Sequence, residues 1–244
     1  ETENWACCTA LLARVKGEGE AFFLLAQPRE AASTLFVMGE PAPLEEIFQH
    51  PLAAVGFVWI SAKDEHMKCL RKHWHVKDPE KMLRMAVSRE TFRPPKKKNR
   101  AVDLRRLEPG DNTALEEAYE TAFGSPVTAR LMAKGPYYGV WSKGRLVSVA
   151  GTHVICPRFG LAAAGNVWTR PGYRGRGLGT LTVGAVTQEL LESCGEVVLN
   201  VREDNLQATR LYERLGYRIH CHYWQMRGGA PRQSRRSRLA ERRG

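Results

Sequence analysis

Trp168-Thr169-Arg170-Pro171-Gly172-Tyr173-Arg174-Gly175-Arg176-Gly177-Leu178-Gly179-Thr180 is the stretch on which the reading of this chain turns. Ahead of it runs an apolar, strand-like segment, Leu161 to Trp168. Behind it, Leu181 to Leu191 places its apolar residues at helical spacing. A strand, a glycine-rich turn and a helix in that order aim free backbone N–H groups, and the positive end of the helix dipole, at an anion. Gly175, Gly177 and Gly179 remove the Cβ atoms that would hold a phosphate off that backbone. Arg174 and Arg176 add positive charge beside it. The stretch reads as a cradle for a pyrophosphate.

Three kinds of cradle compete for this sequence. A P-loop needs Lys then Ser or Thr after its last glycine, and Leu178-Gly179-Thr180 has no such Lys. A dinucleotide fingerprint is G-x-G-x-x-G directly after a strand; here the spacing is G-x-G-x-G and Pro171-Gly172-Tyr173-Arg174 intervenes. The third pattern is Arg/Gln-x-x-Gly-x-Gly/Ala, and Arg174-Gly175-Arg176-Gly177-Leu178-Gly179 fits it. Further along comes the short β-branched run Val197 to Val201, then Asn205-Leu206-Gln207-Ala208-Thr209-Arg210-Leu211-Tyr212-Glu213-Arg214-Leu215-Gly216-Tyr217. Asn205 suits a helix N-cap and Gly216 a helix stop.

The loop, followed by Asn-x6-Tyr-x3-Gly-Tyr, resembles the two signatures of the GCN5-related N-acetyltransferases (GNAT family), over about residues 102–226. The resemblance implies a mixed α/β (α+β) fold, mostly antiparallel, with helices flanking the sheet. It implies acetyl-CoA as cofactor, with the amides of Arg176, Gly177, Leu178, Gly179 and Thr180 on the pyrophosphate and Arg174 as charge support. The strand that delivers the loop, here ending Val167-Trp168-Thr169, splays from its neighbour in similar enzymes. A main-chain N–H near Val167 or Trp168 then polarises the acyl carbonyl, and Asn205 occupies a cofactor-side position. Tyr212 falls at the family's general-acid position, and a phenol is suited to protonate a thiolate leaving group.

Many relatives carry a carboxylate on the strand before the loop as general base, and Ala164 to Thr169 has none. His153, one strand earlier, titrates near neutrality and is the candidate base. Glu203 and Asp204 are alternatives, beside the simpler reading of helix-start carboxylates that favour the dipole. No cysteine lies in either signature, so direct attack in a ternary complex is expected, with a small-molecule amine as acceptor ahead of a peptide amine. The rival readings are a non-catalytic coenzyme A sensor and a nucleic-acid-associated protein.

The charge of +11 is unevenly placed. Arg93-Pro94-Pro95-Lys96-Lys97-Lys98-Asn99-Arg100 holds +5 of it and Arg227 to Gly244 holds +6, so the remainder is neutral. Basic arms of this kind either bind nucleic acid or an acidic partner, or are simply solvated. The expected domains are an α/β domain over 1–92, which could be a degenerate half of the same fold, a basic linker over 93–100, the acetyltransferase domain over 101–228 and an Arg-rich tail over 229–244. In the first domain, strands are expected at Ala21–Ala26, Leu35–Met38, Val55–Ile60 and Leu83–Ser88, and helices at Pro43–His50 and Asp64–His75. Trp59 and Trp74 are read as core.

Cys69-x3-His73-x-His75 could hold a metal on paper, and His220 and His222 share one strand face, but neither has a fourth ligand, so no metal is expected. The six cysteines form no C-x-x-C and read as free thiols in a reducing compartment. No run approaches a membrane helix and no leader opens the chain, so the expectation is a cytoplasmic monomer or homodimer.

Overall fold

The computed structural model describes residues 5–28, 33–49, 57–95, 102–123, 132–133 and 135–231. The elements run β1 (Trp5–Val15), β2 (Gly19–Pro28), β3 (Ser33–Gly39), α1 (Pro41–Ile47), β4 (Val58–Ala62), α2 (Met67–His73) and β5 (Trp74–Ser88). They continue with β6 (Asp103–Arg106), α3 (Asn112–Phe123), β7 (Tyr138–Ser142), β8 (Arg145–Cys156), β9 (Leu161–Thr169), α4 (Leu178–Ser193), β10 (Glu196–Arg202), α5 (Leu206–Arg214) and β11 (Arg218–Pro231). The architecture is mixed α/β with a mostly antiparallel sheet. Two compact units are distinguished, Glu1–Met82 with His222–Gly244, and Leu83–Cys221. β5 and β11 supply residues to both.

In the first unit the strand order is β1-β2-β3-β4-β11, parallel only between β3 and β4. Phe23, Leu25, Leu35 and Ile60 alternate inward from the strands to meet Leu44, Ile47 and Leu70 from α1 and α2. Trp74 is buried among them, as expected, whereas Trp59 is 37% exposed. Two-residue periodicity explains the difference, since Val58, Ile60 and Ala62 take the core face and turn Trp59 outward. The helix expected over Asp64–His75 is shorter. A single 3-10 turn, Asp64–His66, precedes α2, and Trp74 leaves the helix at φ −122, ψ 150 to start β5. β1 was not anticipated; Val55, Gly56 and His50 of the expected elements lie outside the described residues.

Glu45, Cys69 and His73 converge within 4.8 Å, and His75 is not part of the group. Cys69 and His73 are one turn apart on α2. Glu45 Oε2 accepts from both His73 Nε2 and Lys72 Nζ at 2.8 Å, so the carboxylate already has a cation. Burial, and then the Glu45 carboxylate, push the Cys69 thiol up to about 12. The thiolate is the reactive form. Cys69 is therefore expected to resist iodoacetamide at pH 8 in the folded protein and to be labelled once urea unfolds it, a contrast read by peptide mass spectrometry.

In the second unit the order is β5-β10-β9-β8-β7-β6. β6 to β9 form an antiparallel meander, and its β7–β8 turn uses Lys143 (φ 50) and Gly144 (φ 73) in left-handed backbone. β9 and β10 are parallel and pair only over Leu161–Ala163 with Glu196–Val198. Beyond that they part. α4 packs Val183, Val186 and Leu190 on one face of the sheet with Ala150, Ala162 and Leu199. α3 packs Leu115, Ala118 and Tyr119 with Leu146, Val149 and Trp168. α4 ends at Ser193, where Cys194 turns extended (φ −123, ψ 150).

Candidate active site

The splay between β9 and β10 opens beside the glycine loop. Pro171–Tyr173 make one 3-10 turn, then Gly175 (φ +76) and Gly177 (φ +77) take left-handed backbone, with Gly177 as the N-cap of α4. That cap has no side-chain hydrogen bond, and the first turn of α4 holds no acid. The helix thus presents unpaired N–H groups and its positive end to the exterior. A Cβ at Gly175 or Gly177 would meet nothing within 4 Å, so the space in front of this backbone is open. Gly179 differs: it is buried, with a Cβ position 3.1 Å from Leu211 Cδ1, and lets α4 and α5 approach.

A cleft of about 330 Å³ lies there, lined by Val167, Trp168, Thr169, Arg174, Gly175, Gly177, Leu178, Gly179, Thr180 and Asn205 among others. Arg174 and Arg214 border it and no carboxylate does. Arg174 Nε also donates to Thr169 O at 3.0 Å, tying loop to strand. Arg176 is oriented otherwise. Its guanidinium lies over the Tyr173 ring, donates to Gly172 O at 3.0 Å, and lines an adjoining cavity of about 670 Å³ with Arg93 and Arg214.

The strand that delivers the loop is irregular. Gly165 faces Gly151, but Trp168 faces Val149, so β9 contains one extra residue. It is Asn166, at φ +52, a left-handed position that costs an ordinary residue roughly 1–2 kcal/mol and that Asn tolerates best after Gly. A second shift, between Thr152 and Val154, makes His153 the extra residue of β8. The two meet. Asn166 Nδ2 donates to Tyr137 Oη at 2.6 Å, and Tyr137 Oη donates to Thr152 O at 3.2 Å. Asn166 Oδ1 is thereby left as acceptor for His153 Nε2, 2.9 Å away. Tyr119, fully buried on α3, donates to Asn166 O at 2.7 Å.

This packing leaves no spare room. A Cβ on Gly151 would lie 2.0 Å from the Tyr137 ring, and one on Gly165 2.3 Å from the His153 ring. Gly151→Ala is therefore expected to destabilise the protein by about 2–3 kcal/mol through overpacking, read from urea denaturation.

Asn205 caps α5 as expected, its side chain accepting from Ala208 N at 3.1 Å, and it borders the cleft as well. Two residues from the end of α5, Tyr212 is 5% exposed and sits T-shaped on Tyr217 with ring centroids 6.0 Å apart. Val167 packs against the same apolar cluster. Burial pushes the Tyr212 phenol up to about 12. Asp204 is held by Arg202, with Nη2 to Oδ2 at 2.7 Å, and that hydrogen bond draws its carboxyl below the usual range, which makes it a weak base. Glu203 is half-buried in the same turn. Tyr119, Tyr137 and Asn166 had not been singled out from sequence. The Gly165-Asn166 pair inside a strand was the available signal, since both residues favour bulges.

Residues 102–217 match the family model described as Acetyltransferase (GNAT) family. They form a GNAT domain. A comparison with curated protein sequences returned no match. Among solved structures, the chain is similar to a GNAT-family acetyltransferase of Novosphingobium aromaticivorans, at 22% identity and TM-score 0.60, over 84% of this chain and 88% of that one. It is similar also to a GCN5-related N-acetyltransferase from Kribbella flavida, at 18% identity and TM-score 0.60, over 94% and 91%. A tandem GNAT protein from the clavulanic acid biosynthesis pathway aligns at 14% identity and TM-score 0.58, over 94% and 85%. At these identities the structural likeness speaks for the fold. GNAT acceptors are generally amines, and the GNAT domain with its fold supports acyl transfer here. No helix among the described residues is long and apolar enough to cross a membrane.

Proposed function

We propose that the chain is an acetyl-CoA-dependent N-acetyltransferase acting by direct attack in a ternary complex, with a small-molecule amine ahead of a peptide amine as acceptor. The observation that carries this reading is the uncapped, acid-free N-terminus of α4 behind two left-handed glycines with open space before them. Those residues fit a pyrophosphate: the backbone donors point outward, two arginines border the cleft, and no carboxylate opposes an anion. When bound, acetyl-CoA would supply an activated thioester.

The chain's own residues supply the rest. The amides of Gly177 to Thr180 and the Arg174 charge hold the anion. Residues Ala164 to Thr169 of β9 have no pairing with β10, which leaves main-chain groups there for an extended arm and for a carbonyl oxygen. Tyr212, kept protonated by burial, is the proton donor to the departing thiolate. His153, oriented by the hydrogen bond between its Nε2 and Asn166 Oδ1, is the base for the amine proton. The N-terminal unit, whose first segment ends at Met82, we assign as a degenerate half of the same fold, in keeping with the likeness to a tandem GNAT protein across 94% of the chain.

Calorimetric titration with acetyl-CoA is the direct test, followed by a thiol-release screen of amines. Micromolar binding and turnover of one amine class are expected; absence of binding would sink the proposal.

A further inference from the structure

We infer that Tyr119 is a positioning residue, one that aims the Val167 N–H into the open edge of β9, where the acyl carbonyl of a bound thioester would be polarised. The inference rests on the acetyl-CoA reading above and assigns a task to a side chain on a different helix from either signature.

Hydrogen bonds on both edges of β9 set the direction. Arg170 N donates to Val147 O at 2.9 Å, and Trp168 faces Val149 in the same register. Antiparallel pairs alternate, so the polar groups of Trp168 turn toward β8 and those of Thr169 turn to the other edge. Arg174 Nε meets Thr169 O on that other edge. A regular strand would continue the alternation backwards, but Asn166 interrupts it. At φ +52 its carbonyl is swung toward α3, where the Tyr119 hydroxyl donates to it at 2.7 Å. The described chain contains no cis peptide. In a planar trans peptide the C=O of Asn166 and the N–H of Val167 point in opposite directions, so what fixes the first fixes the second. The Val167 N–H is thus turned away from Tyr119, and the alternation counted back from Trp168 sets it on the edge opposite β8, where pairing with β10 has ended at Ala163.

Tyr119 is suited to this task. It is fully exposed to protein and not to water, and burial raises its phenol so that it remains a donor. Tyr137 and His153 hold the Asn166 side chain, so the left-handed residue is fixed at its amide as well as at its carbonyl.

The test is isotope-edited infrared spectroscopy of the full chain with acetyl-CoA carrying ¹³C at the thioester carbonyl, alongside calorimetric affinity for coenzyme A. In the wild type the bound carbonyl band is expected below its free position. Tyr119→Phe keeps the ring and removes the donor; its band is expected to return toward the free position while coenzyme A affinity stays within about twofold, since the cradle is untouched. Asn166→Gly accepts the left-handed backbone and is expected to keep most of the shift, whereas Asn166→Ala is expected to lose it. This second pair decides the matter should Tyr119→Phe fold poorly. A Tyr119→Phe band coincident with the wild type, or equal bands in the two Asn166 variants, would overturn the inference and leave the cofactor reading intact. Failure of the wild type to bind acetyl-CoA would overturn both.

Discussion

Gly177→Glu is expected to weaken acetyl-CoA binding at least about a hundredfold, about 2.7 kcal/mol. Two effects add. Gly177 sits at φ +77, and a side chain there costs roughly 1–2 kcal/mol of backbone strain. The larger effect is electrostatic. A Cβ at this position meets nothing within 4 Å, so the new side chain enters the open space before the α4 N-terminus and puts its carboxylate where the pyrophosphate is to be held. Like charges about 4–5 Å apart in a partly desolvated cleft repel by roughly 3–4 kcal/mol. The carboxylate also satisfies the helix end that would otherwise attract the ligand. Gly177→Ala carries the strain without the charge and should lose much less. Calorimetry of the three proteins, with thermal melting to verify folding, separates the contributions. Equal affinity in Gly177→Glu and wild type would show that the cradle is not the cofactor site.

Tyr212→Phe is expected to lower kcat about 10²- to 10⁴-fold with coenzyme A affinity unchanged, the range a positioned general acid contributes. The substitution is structurally mild. Among the described residues the Tyr212 hydroxyl makes no hydrogen bond that the change would break, and the ring keeps its contact with Tyr217. Lost turnover therefore reports chemistry and not unfolding. The pH dependence follows from the sign of the shift. Burial raises the phenol to about 12, so the protonated form persists throughout the range below that value. Tyr212 should therefore contribute no alkaline fall in rate between pH 8 and 10. The coenzyme A sensor reading expects no turnover in the wild type and nothing to lose in the variant. Retention of wild-type kcat by Tyr212→Phe would remove Tyr212 from the mechanism.

The parts of the site that were legible are those whose physics is local. Glycines at alternate positions before a helical repeat fix a loop that needs left-handed backbone, and Gly175 and Gly177 adopt it. Asn205 at a helix start caps it because the bond runs within one turn. Less legible were features that depend on partners distant in sequence. The outward turn of Trp59 depends on which strand face the helices α1 and α2 cover. The short α2 depends on the burial of Trp74, whose packing outweighs helical propensity and draws the residue into β5. Cys69 and His73 share a helix face by spacing, but Glu45 joins them only through the packing of α1.

By itself the sequence determined the left-handed glycine turn before α4, the cap and stop of α5, and the place of Tyr212 within the second signature. Each is set by backbone sterics or by hydrogen bonds spanning a few residues. Tertiary structure alone decided what lies across from that turn. A bulge at Asn166 requires a register between β8 and β9 that no local pattern states, and its carbonyl finds Tyr119 only because α3 packs over the meander. Directing an N–H takes a partner for the opposite end of its peptide, and in this fold that partner comes from another helix.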